Sequence, residues 1–277
     1  GTGRCLVVAE IGANHNGDIA TAIRMIDAAK AAGADLTKFQ KRTPSLCIPP
    51  DQQGVMKDTP RGPMTYLAYR EWLEFGRDEY DAIDAHCKKI RLPWFASPWD
   101  LPSVEFLRAY DLPAIKIASA SLTDHALLRA CRELGRPIIM STGMSTATEI
   151  NDAFRVLGRE DLVLMACRST YPCPPSDLNL SVIHTLAARY WVPVGWSGHE
   201  VGLWTTLCAA AMGACVIERH FTLNRSWFGT DQASSVEPQG FKKLVEQIRR
   251  FESARGDGVI APLPSELPIR AKLRRVP

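Results

Sequence analysis

The sequence predicts an α/β protein that forms a single (β/α)8 barrel of the TIM-barrel class. Eight short apolar segments alternate with eight helical patterns along the 277 residues, as a parallel sheet with helical crossovers requires. One such barrel needs about 250 residues, so the chain length fits. The rival fold is a doubly wound open sheet, for which a GxGxxG turn after the first strand would be typical. That turn reads Ile11-Gly12-Ala13-Asn14-His15.

The first strand is predicted at residues 5–10 and the first helix at 19–32, with Asp18 as its N-cap and Gly33 at its end. The other strands are predicted at residues 35–39, 93–96, 113–117, 137–140, 162–166, 192–199 and 215–218. The helices between and after them are predicted at residues 77–90, 101–110, 124–134, 147–157, 180–190, 201–212 and 238–254.

Two segments fall outside this alternation. Residues 40–65 are polar and proline-rich without a clear period, which predicts a long functional loop, a lid or entrance to the site. Residues 256–277 predict an extended segment that follows the surface and no second domain, so the barrel is assigned to residues 1–255.

Composition narrows the class of protein. The formal net charge of +3 gives no reason to invoke nucleic acid, and the short basic runs fit solvated helix faces. Eight cysteines without a CxxC pair indicate free thiols in a reducing compartment. The sequence contains no run of about 18 apolar residues, which is the pattern that predicts a membrane span. We therefore expect a cytoplasmic protein.

The last two predicted strands each close on a histidine, His199 and His220. Neighbouring parallel strands lie about 4.8 Å apart, so two imidazoles at equivalent strand ends could share one divalent metal ion. Water or substrate oxygens would fill its other positions, as for a metal that polarises a carbonyl. The alternative is two ordinary histidines, one in a loop and one in a core.

Barrel active sites lie at the carboxyl ends of the strands, and those ends are polar here. They carry Glu10, Lys38, Gln40, Ser97, Lys116, Ser119, Ser141, Thr142, Arg168, Ser169, Tyr171, Ser197 and Glu218. Two lysines with several hydroxyls suit a phosphate ester, although each hydroxyl alone could merely cap a helix. Glu218 shares a strand face with His220, so it could reach the metal or the lysines, or serve only as a buried charge partner.

These motifs resemble the barrel domain of the sialic acid synthase family, which includes N-acetylneuraminate synthases and spore-coat polysaccharide relatives. The resemblance spans nearly the whole chain. It is carried by residues 9–17 (AEIGANHNG), Lys38-Phe39-Gln40, Lys116-Ile117-Ala118-Ser119, residues 141–144 (STGM), Tyr171-Pro172, Ser197-Gly198-His199 and residues 218–222 (ERHFT).

The resemblance implies a metal-assisted condensation of phosphoenolpyruvate with an aldose, N-acetylmannosamine or a related hexose. Carbon three of phosphoenolpyruvate attacks the aldehyde, water adds at carbon two, and phosphate leaves to give a 2-keto-3-deoxy sugar acid. The metal, Mn²⁺ or another ion such as Mg²⁺ or Co²⁺, would lie on His199 and His220, and the protein would be a homodimer.

By the same resemblance, the predicted catalytic residues are Glu10, Asp231 and Lys116. Glu10, Gln40 and Asp231 would address the sugar hydroxyls or the metal-bound water. The predicted substrate-binding residues are Lys38, Gln40, Ser97, Lys116, Ser119, Ser141, Ser169, Tyr171 and Ser197.

The sequence departs from the family at three places. Ser121 stands where the family usually has a glutamate proposed as the base, so Glu10, Asp124 or Asp231 would have to serve. Gln232 replaces a common histidine. Residues 265–275 resemble the linker that leads, in the family, into an antifreeze-like domain, which this sequence does not include.

Two alternatives to the synthase remain open at this point. One is a Schiff-base aldolase of the same barrel shape, with Lys116 or Lys38 as the nucleophile. The other is a non-catalytic barrel that binds a sugar or a partner protein.

Overall fold

Eight parallel strands close into a barrel in the computed structural model, which describes residues 3–276. The strands are β1 (Leu6–Glu10), β2 (Leu36–Lys41), β3 (Trp94–Pro98), β4 (Ile115–Ile117), β5 (Ile138–Ser141), β6 (Leu162–Cys167), β7 (Val194–Gly198) and β8 (Val216–His220). Each strand pairs with its neighbours along the chain, and β8 pairs with β1 to close the barrel. The predicted (β/α)8 fold is confirmed.

A helix follows each strand and packs on the outside of the barrel. The eight helices are α1 (Ile19–Ala31), α2 (Arg77–Ile90), α3 (Leu101–Leu107), α4 (His125–Glu133), α5 (Ala147–Leu157), α6 (Val182–Tyr190), α7 (Trp204–Ala211) and α8 (Pro238–Arg255). The predicted N-cap of α1 is confirmed, because the Asp18 carboxylate accepts hydrogen bonds from the N–H groups of Ala20 and Thr21.

Alternation along the strands divides the barrel interior into two layers. Side chains two residues apart share a face, so each strand sends an apolar residue and then a polar residue inward. The lower layer is a small apolar cluster of Val8, Phe95, Ala114, Ile139, Met165 and Val216. The upper layer, at the carboxyl ends, is polar and forms the floor of the candidate site.

The segment after β2 is more ordered than the sequence predicted. β2 runs on to Lys41, so Gln40 lies in a strand and not in a loop. Residues 44–73 contain two one-turn helices, a two-stranded hairpin and the helix Tyr66–Leu73, which the sequence analysis missed. The sequence did not indicate these elements, because each short helix has proline in its first turn and the segment has no long apolar period.

Other predicted boundaries were also wrong. α3 stops at Leu107 and not at residue 110. β7 ends at Gly198 and not at residue 199, whereas β8 ends on His220, the histidine on which the predicted strand closes. α7 begins only at Trp204, because Gly202 has a φ of +89° and interrupts any helix there.

The prediction of an extended segment after residue 255 was also wrong in part, because that segment contains a helix. Residues 256–276 are exposed throughout, and they contain a short helix, Leu267–Leu273. Between residues 3 and 276, no helix is both long and apolar enough to cross a membrane.

Candidate active site

An open cavity lies at the carboxyl ends of the barrel strands. Every predicted substrate-binding residue lines it, together with both histidines. Its wall consists of Glu10, Lys38, Gln40, Ser97, Trp99, Lys116, Ala118, Ser119, Ala120, Ser141, Met144, Cys167, Ser169, Tyr171, Ser197, His199, Glu218 and His220. The structure therefore brings together side chains from all eight strands or the turns that follow them.

Lys38 is a buried ammonium held between two carboxylates. Its Nζ lies 2.8 Å from Glu10 and 3.5 Å from Glu218, and the three residues come from the adjacent strands β1, β2 and β8. Burial alone would lower the pKa of Lys38, but Glu10 and Glu218 outweigh it and raise that pKa. Lys38 is therefore charged at neutral pH, and its charge is already compensated by the two carboxylates.

Lys116 has a different environment. Its Nζ donates to Ser141 Oγ at 2.5 Å and to the Ile117 carbonyl at 3.2 Å. Among residues 3–276 no carboxylate lies within 4 Å of it, and burial lowers its pKa. A buried cation without a close counter-ion would be stabilised by a bound anion.

A group of small polar side chains lies beside Lys116. The Gly143 N–H donates to Ser119 Oγ at 3.0 Å, and that hydroxyl lies 3.2 Å from Cys167 Sγ. A Cβ on Gly143 would come within 2.9 Å of Ser119 Oγ and 2.8 Å of Cys167 Sγ, so only glycine leaves this cradle open. Because the Gly143 N–H already donates to Ser119 Oγ, the cradle offers hydroxyl donors to an anion.

The two predicted metal-binding histidines lie side by side on the cavity wall, at the carboxyl ends of the adjacent strands β7 and β8. Their ring centroids are 5.6 Å apart, with an angle of 46° between the rings. A metal ion bound to an imidazole lies roughly 3.3 Å from the ring centroid, so rings at this separation can share one ion. Within residues 3–276 no group of three or more His, Cys, Asp or Glu side chains is arranged to hold a metal.

Hydrogen bonding sets the tautomer of His199. Its Nδ1 lies at hydrogen-bond distance from the Arg168 carbonyl, which can only accept, so Nδ1 carries the proton. The Nε2 lone pair is left free, as a metal ligand requires. Burial, followed by the nearby His220, lowers the pKa of His199 to about 4, so the ring is neutral at pH 7.

His220 is also available as a ligand. Its buried Nδ1 has no hydrogen-bond partner within the described chain, and the nearest carboxylate, Asp231, lies 3.8 Å away. The Tyr171 ring, about half exposed, packs against both imidazoles at centroid distances of 4.0 and 5.9 Å. The donor set of two imidazoles fits a divalent transition ion.

Asp231 and Ser121 differ in position from the other predicted residues. Asp231 does not line the cavity and approaches it only through His220. Ser121 is buried in the turn after β4, and its hydroxyl is not part of the wall.

Five wall residues were not singled out as site residues: Trp99, Ala118, Ala120, Met144 and Cys167. Glu218 was identified only as a strand-end carboxylate that could reach the metal or the lysines. The signal for Cys167 and Glu218 was present, because each lies two residues beyond an inward apolar residue of its strand, Met165 and Val216. Trp99 and Met144 lie in loops after strand ends, where no periodicity identifies them.

A (β/α)8 barrel with a polar cavity at the carboxyl ends of its strands is the arrangement of the barrel enzymes. The NeuB family model matches residues 25–260, and the chain belongs to that family. N-acetylneuraminate-9-phosphate synthase from Drosophila melanogaster is 39% identical over 89% of this chain and 68% of its own length. N,N'-diacetyllegionaminic acid synthase from Campylobacter jejuni is 35% identical over 92% of this chain and 79% of its own.

Solved structures agree with this assignment. The N-acetylneuraminic acid synthetase of Leptospira borgpetersenii, in complex with citrate, superimposes with a TM-score of 0.87 at 32% identity and covers 99% of this chain and 93% of its own. A truncated 3-deoxy-D-arabino-heptulosonate 7-phosphate synthase from Thermotoga maritima reaches 0.71 at 14% identity, covering 92% and 89%, and shows the fold alone. The protein is a sialic acid-type synthase, so the non-catalytic alternative is not retained.

Proposed function

We propose that this synthase condenses phosphoenolpyruvate with an aldose, N-acetylmannosamine or a related hexose, to a 2-keto-3-deoxy sugar acid and inorganic phosphate. The observation that carries the proposal is Lys116, a buried ammonium beside the hydroxyl and amide cradle at Gly143. Phosphoenolpyruvate is a small trianion, and this corner of the cavity supplies a cation and hydrogen-bond donors together.

Lys116 and Lys38 would have different roles in substrate binding. Lys116, Ser119 and Ser141 hold the phosphate, with Ser97, Ser169 and Ser197 completing the substrate contacts around it. Lys38 remains paired with Glu10 and Glu218, which fixes the position of those carboxylates. Lysine and serine donors that are fixed in place orient the enol carbon of phosphoenolpyruvate toward the aldehyde, and they do not have to rearrange in the transition state.

His199 and His220 would hold a divalent ion, Mn²⁺ or another ion such as Mg²⁺ or Co²⁺. Such an ion, when bound, supplies Lewis-acid polarisation of the sugar aldehyde. The structural support is the free Nε2 of His199 and the unpartnered Nδ1 of His220.

Glu10 is the carboxylate that we assign to the proton from the attacking water. It lies on the cavity wall, and Gln40 Nε2 donates to its Oε1 at 2.7 Å, which leaves the other oxygen toward Lys38. Asp231, behind His220, would contact a sugar hydroxyl or ligand water at the rim. The tyrosine at 171 would lie against the sugar.

Phosphate release from phosphoenolpyruvate tests this proposal directly. The purified protein is assayed with a panel of aldoses, including N-acetylmannosamine and its 6-phosphate, with Mn²⁺ or after chelation. We expect release that requires both an aldose and the metal, with the sugar acid as product. No aldose-dependent release from any member of the panel would refute the proposal.

A Schiff base on Lys116, as in an aldolase, is a second candidate mechanism because of one observation. The pKa of Lys116 is lowered by burial, which a nucleophilic lysine requires. Borohydride reduction in the presence of pyruvate would trap a Lys116 adduct if this candidate were correct. We expect no adduct, and chelator-sensitive phosphate release instead.

We also propose a homodimer in the cytoplasm as the working form. Eight free cysteines fit a reducing compartment. The dimer is an expectation from the family, and sedimentation equilibrium of the full chain tests it.

A further inference from the structure

A buried ion pair lies directly behind the two histidines, on the outside of the barrel wall. Arg219 precedes His220 on β8 and is 1% exposed, and Glu200 follows His199 and is 0% exposed. Because successive strand residues point to opposite faces, the Arg219 side chain points away from the cavity that His220 lines. It lies under the loop between β7 and α7.

The Arg219 guanidinium connects the end of β8 to that loop. Its Nη2 donates to the Glu200 carbonyl at 2.6 Å, and its Nη1 donates to the Gly202 carbonyl at 2.9 Å. Nη1 also donates to Thr206 Oγ1 at 2.6 Å, and this hydroxyl donates in turn to Glu200 Oε1. One side chain thus fixes the backbone on the far side of His199.

The packing under this pair is tight. Gly198 lies opposite Arg219 in the β7–β8 register. A Cβ at Gly198 would come within 2.6 Å of Glu200 Oε2 and 2.9 Å of Arg219 Cδ. The arginine stem and the glutamate therefore lie directly on the backbone that carries His199.

His199 needs such support because it lies beyond the last residue of β7. Its ring is held by the Arg168 carbonyl, and its own carbonyl accepts from the Cys173 N–H at 3.0 Å. The link to β8, where the second histidine lies, runs through Arg219. Groups that orient metal ligands typically change metal affinity 10- to 100-fold when they are removed.

We propose that Arg219, paired with Glu200, is a positioning residue that fixes the distance between His199 and His220 and so sets the affinity of the site for a divalent ion. The proposal rests on the proposed function, because it takes the two histidines as the metal ligands. Arginine is required because its planar fork reaches the Glu200 carbonyl, the Gly202 carbonyl and Thr206 at once, which a lysine ammonium does not.

The test compares Arg219→Lys with Arg249→Lys in the full chain. Arg249 is a matched control, because it makes a similar set of bonds, to the Cys5 carbonyl, Asp35 and Glu252, at the opposite end of the barrel. Both substitutions keep the charge, which protects folding. Mn²⁺ binding is measured without phosphoenolpyruvate, from the electron paramagnetic resonance signal of free Mn²⁺.

We expect Arg219→Lys to weaken Mn²⁺ binding roughly 10- to 100-fold and Arg249→Lys to leave it within about twofold. Phosphoenolpyruvate binding after chelation should be equal in all three proteins, because the lysines and serines are untouched. Wild-type Mn²⁺ affinity in Arg219→Lys would overturn the positioning role, and so would equal weakening in both variants.

The proposed function fails in a different way. If the wild-type protein binds no Mn²⁺ and releases no phosphate, the metal site, the synthase mechanism and the positioning role are all refuted. If the wild-type protein binds Mn²⁺ and turns over while Arg219→Lys is unchanged, only the positioning role is refuted.

Discussion

The two buried lysines of the cavity have different electrostatic partners, although the sequence presents them as equivalent strand-end residues. Lys38 neutralises Glu10 and Glu218, whereas Lys116 has no carboxylate within 4 Å in the described chain. Removing a member of a buried ion pair leaves the other charge uncompensated, which typically costs about 3–5 kcal/mol. The same substitution at the two sites should therefore have different effects on stability.

We expect Lys38→Met to lower the free energy of unfolding by about 3 kcal/mol in the absence of ligand. Lys116→Met should lower it by a smaller amount, since Lys116 has no carboxylate within 4 Å and interacts with Glu218 only at longer range. Urea unfolding at pH 7 measures both. The Lys116 variant should nevertheless lose phosphoenolpyruvate binding, seen as a KM raised at least about 100-fold. Equal destabilisation by the two substitutions would contradict the assigned charge balance.

His15 is a buried neutral histidine outside the cavity. Its ring stacks on Phe75 at a centroid distance of 3.9 Å, and its Nδ1 accepts from the Gly17 N–H at 3.1 Å. Burial lowers its pKa to about 3 from an ordinary value near 6.5. As the pH falls, His15 therefore becomes protonated at a higher pH in the unfolded chain than in the folded protein. The contribution of His15 to stability is complete above pH 6.5 and is lost as the pH falls toward 3.

Lowering the pH from 7 to 5 should cost the wild-type protein about 2 kcal/mol through His15 alone. His15→Gln removes the titrating group, so its unfolding free energy should fall by about 2 kcal/mol less over the same interval. Urea titrations at the two pH values provide the comparison. An identical pH dependence in variant and wild type would exclude His15 as a source of acid sensitivity.

At the scale of elements, β7 is shaped by the close approach of its neighbours. A Cβ on Gly195 would lie 2.6 Å from the Val216 carbonyl oxygen of β8 and would also press on Met165 of β6. The glycine is thus needed for space and not for a special backbone angle. It allows the large Met165 side chain to fill the lower layer of the barrel.

Gly195→Ala should therefore destabilise the barrel by about 1–3 kcal/mol through overpacking. Gly54→Ala is the control, because Gly54 is exposed, has a negative φ and has open space around its Cα. That substitution should change stability by no more than about 0.5 kcal/mol. Thermal and urea unfolding of both variants measure the difference, and a neutral Gly195→Ala would show that β7 and β8 can separate without cost.

The strand and helix pattern was predictable where packing against a barrel imposes a period. The inward alternation of β8, with Val216 below and Glu218 and His220 above, follows from its position between β1 and β7. The elements within residues 44–73 were missed because they are one or two turns long. Their order depends on tertiary contacts, such as the packing of Tyr69 against Phe228.

At the scale of the whole molecule, residues 256–276 add no buried surface to the barrel. The apolar side chains along this segment are at least half exposed: Val259, Ile260, Leu263, Leu267, Ile269, Leu273 and Val276. The barrel core, by contrast, is complete by Ile248 on α8. Stability of the barrel should not depend on the segment.

A chain that ends at Arg255 should keep its unfolding free energy within about 0.5 kcal/mol of the full chain. The expected result follows from the absence of buried contacts between residues 256 and 276. Urea unfolding at several protein concentrations measures it. A loss above about 2 kcal/mol, or a loss that grows with protein concentration, would mean that the segment packs on the barrel or on a second copy.

The sequence by itself determined the eight-stranded barrel, the polar strand ends, and the two lysines and two histidines among them. It could do so because a period of two along strands and the order of the units fix which side chains face the barrel axis. Tertiary structure alone decided how the charges pair: Lys38 with two carboxylates, Lys116 with none within 4 Å in the described chain, and Arg219 behind the histidines. Those pairings depend on distances of roughly 3 to 4 Å between side-chain atoms on different strands, which no spacing along one chain specifies.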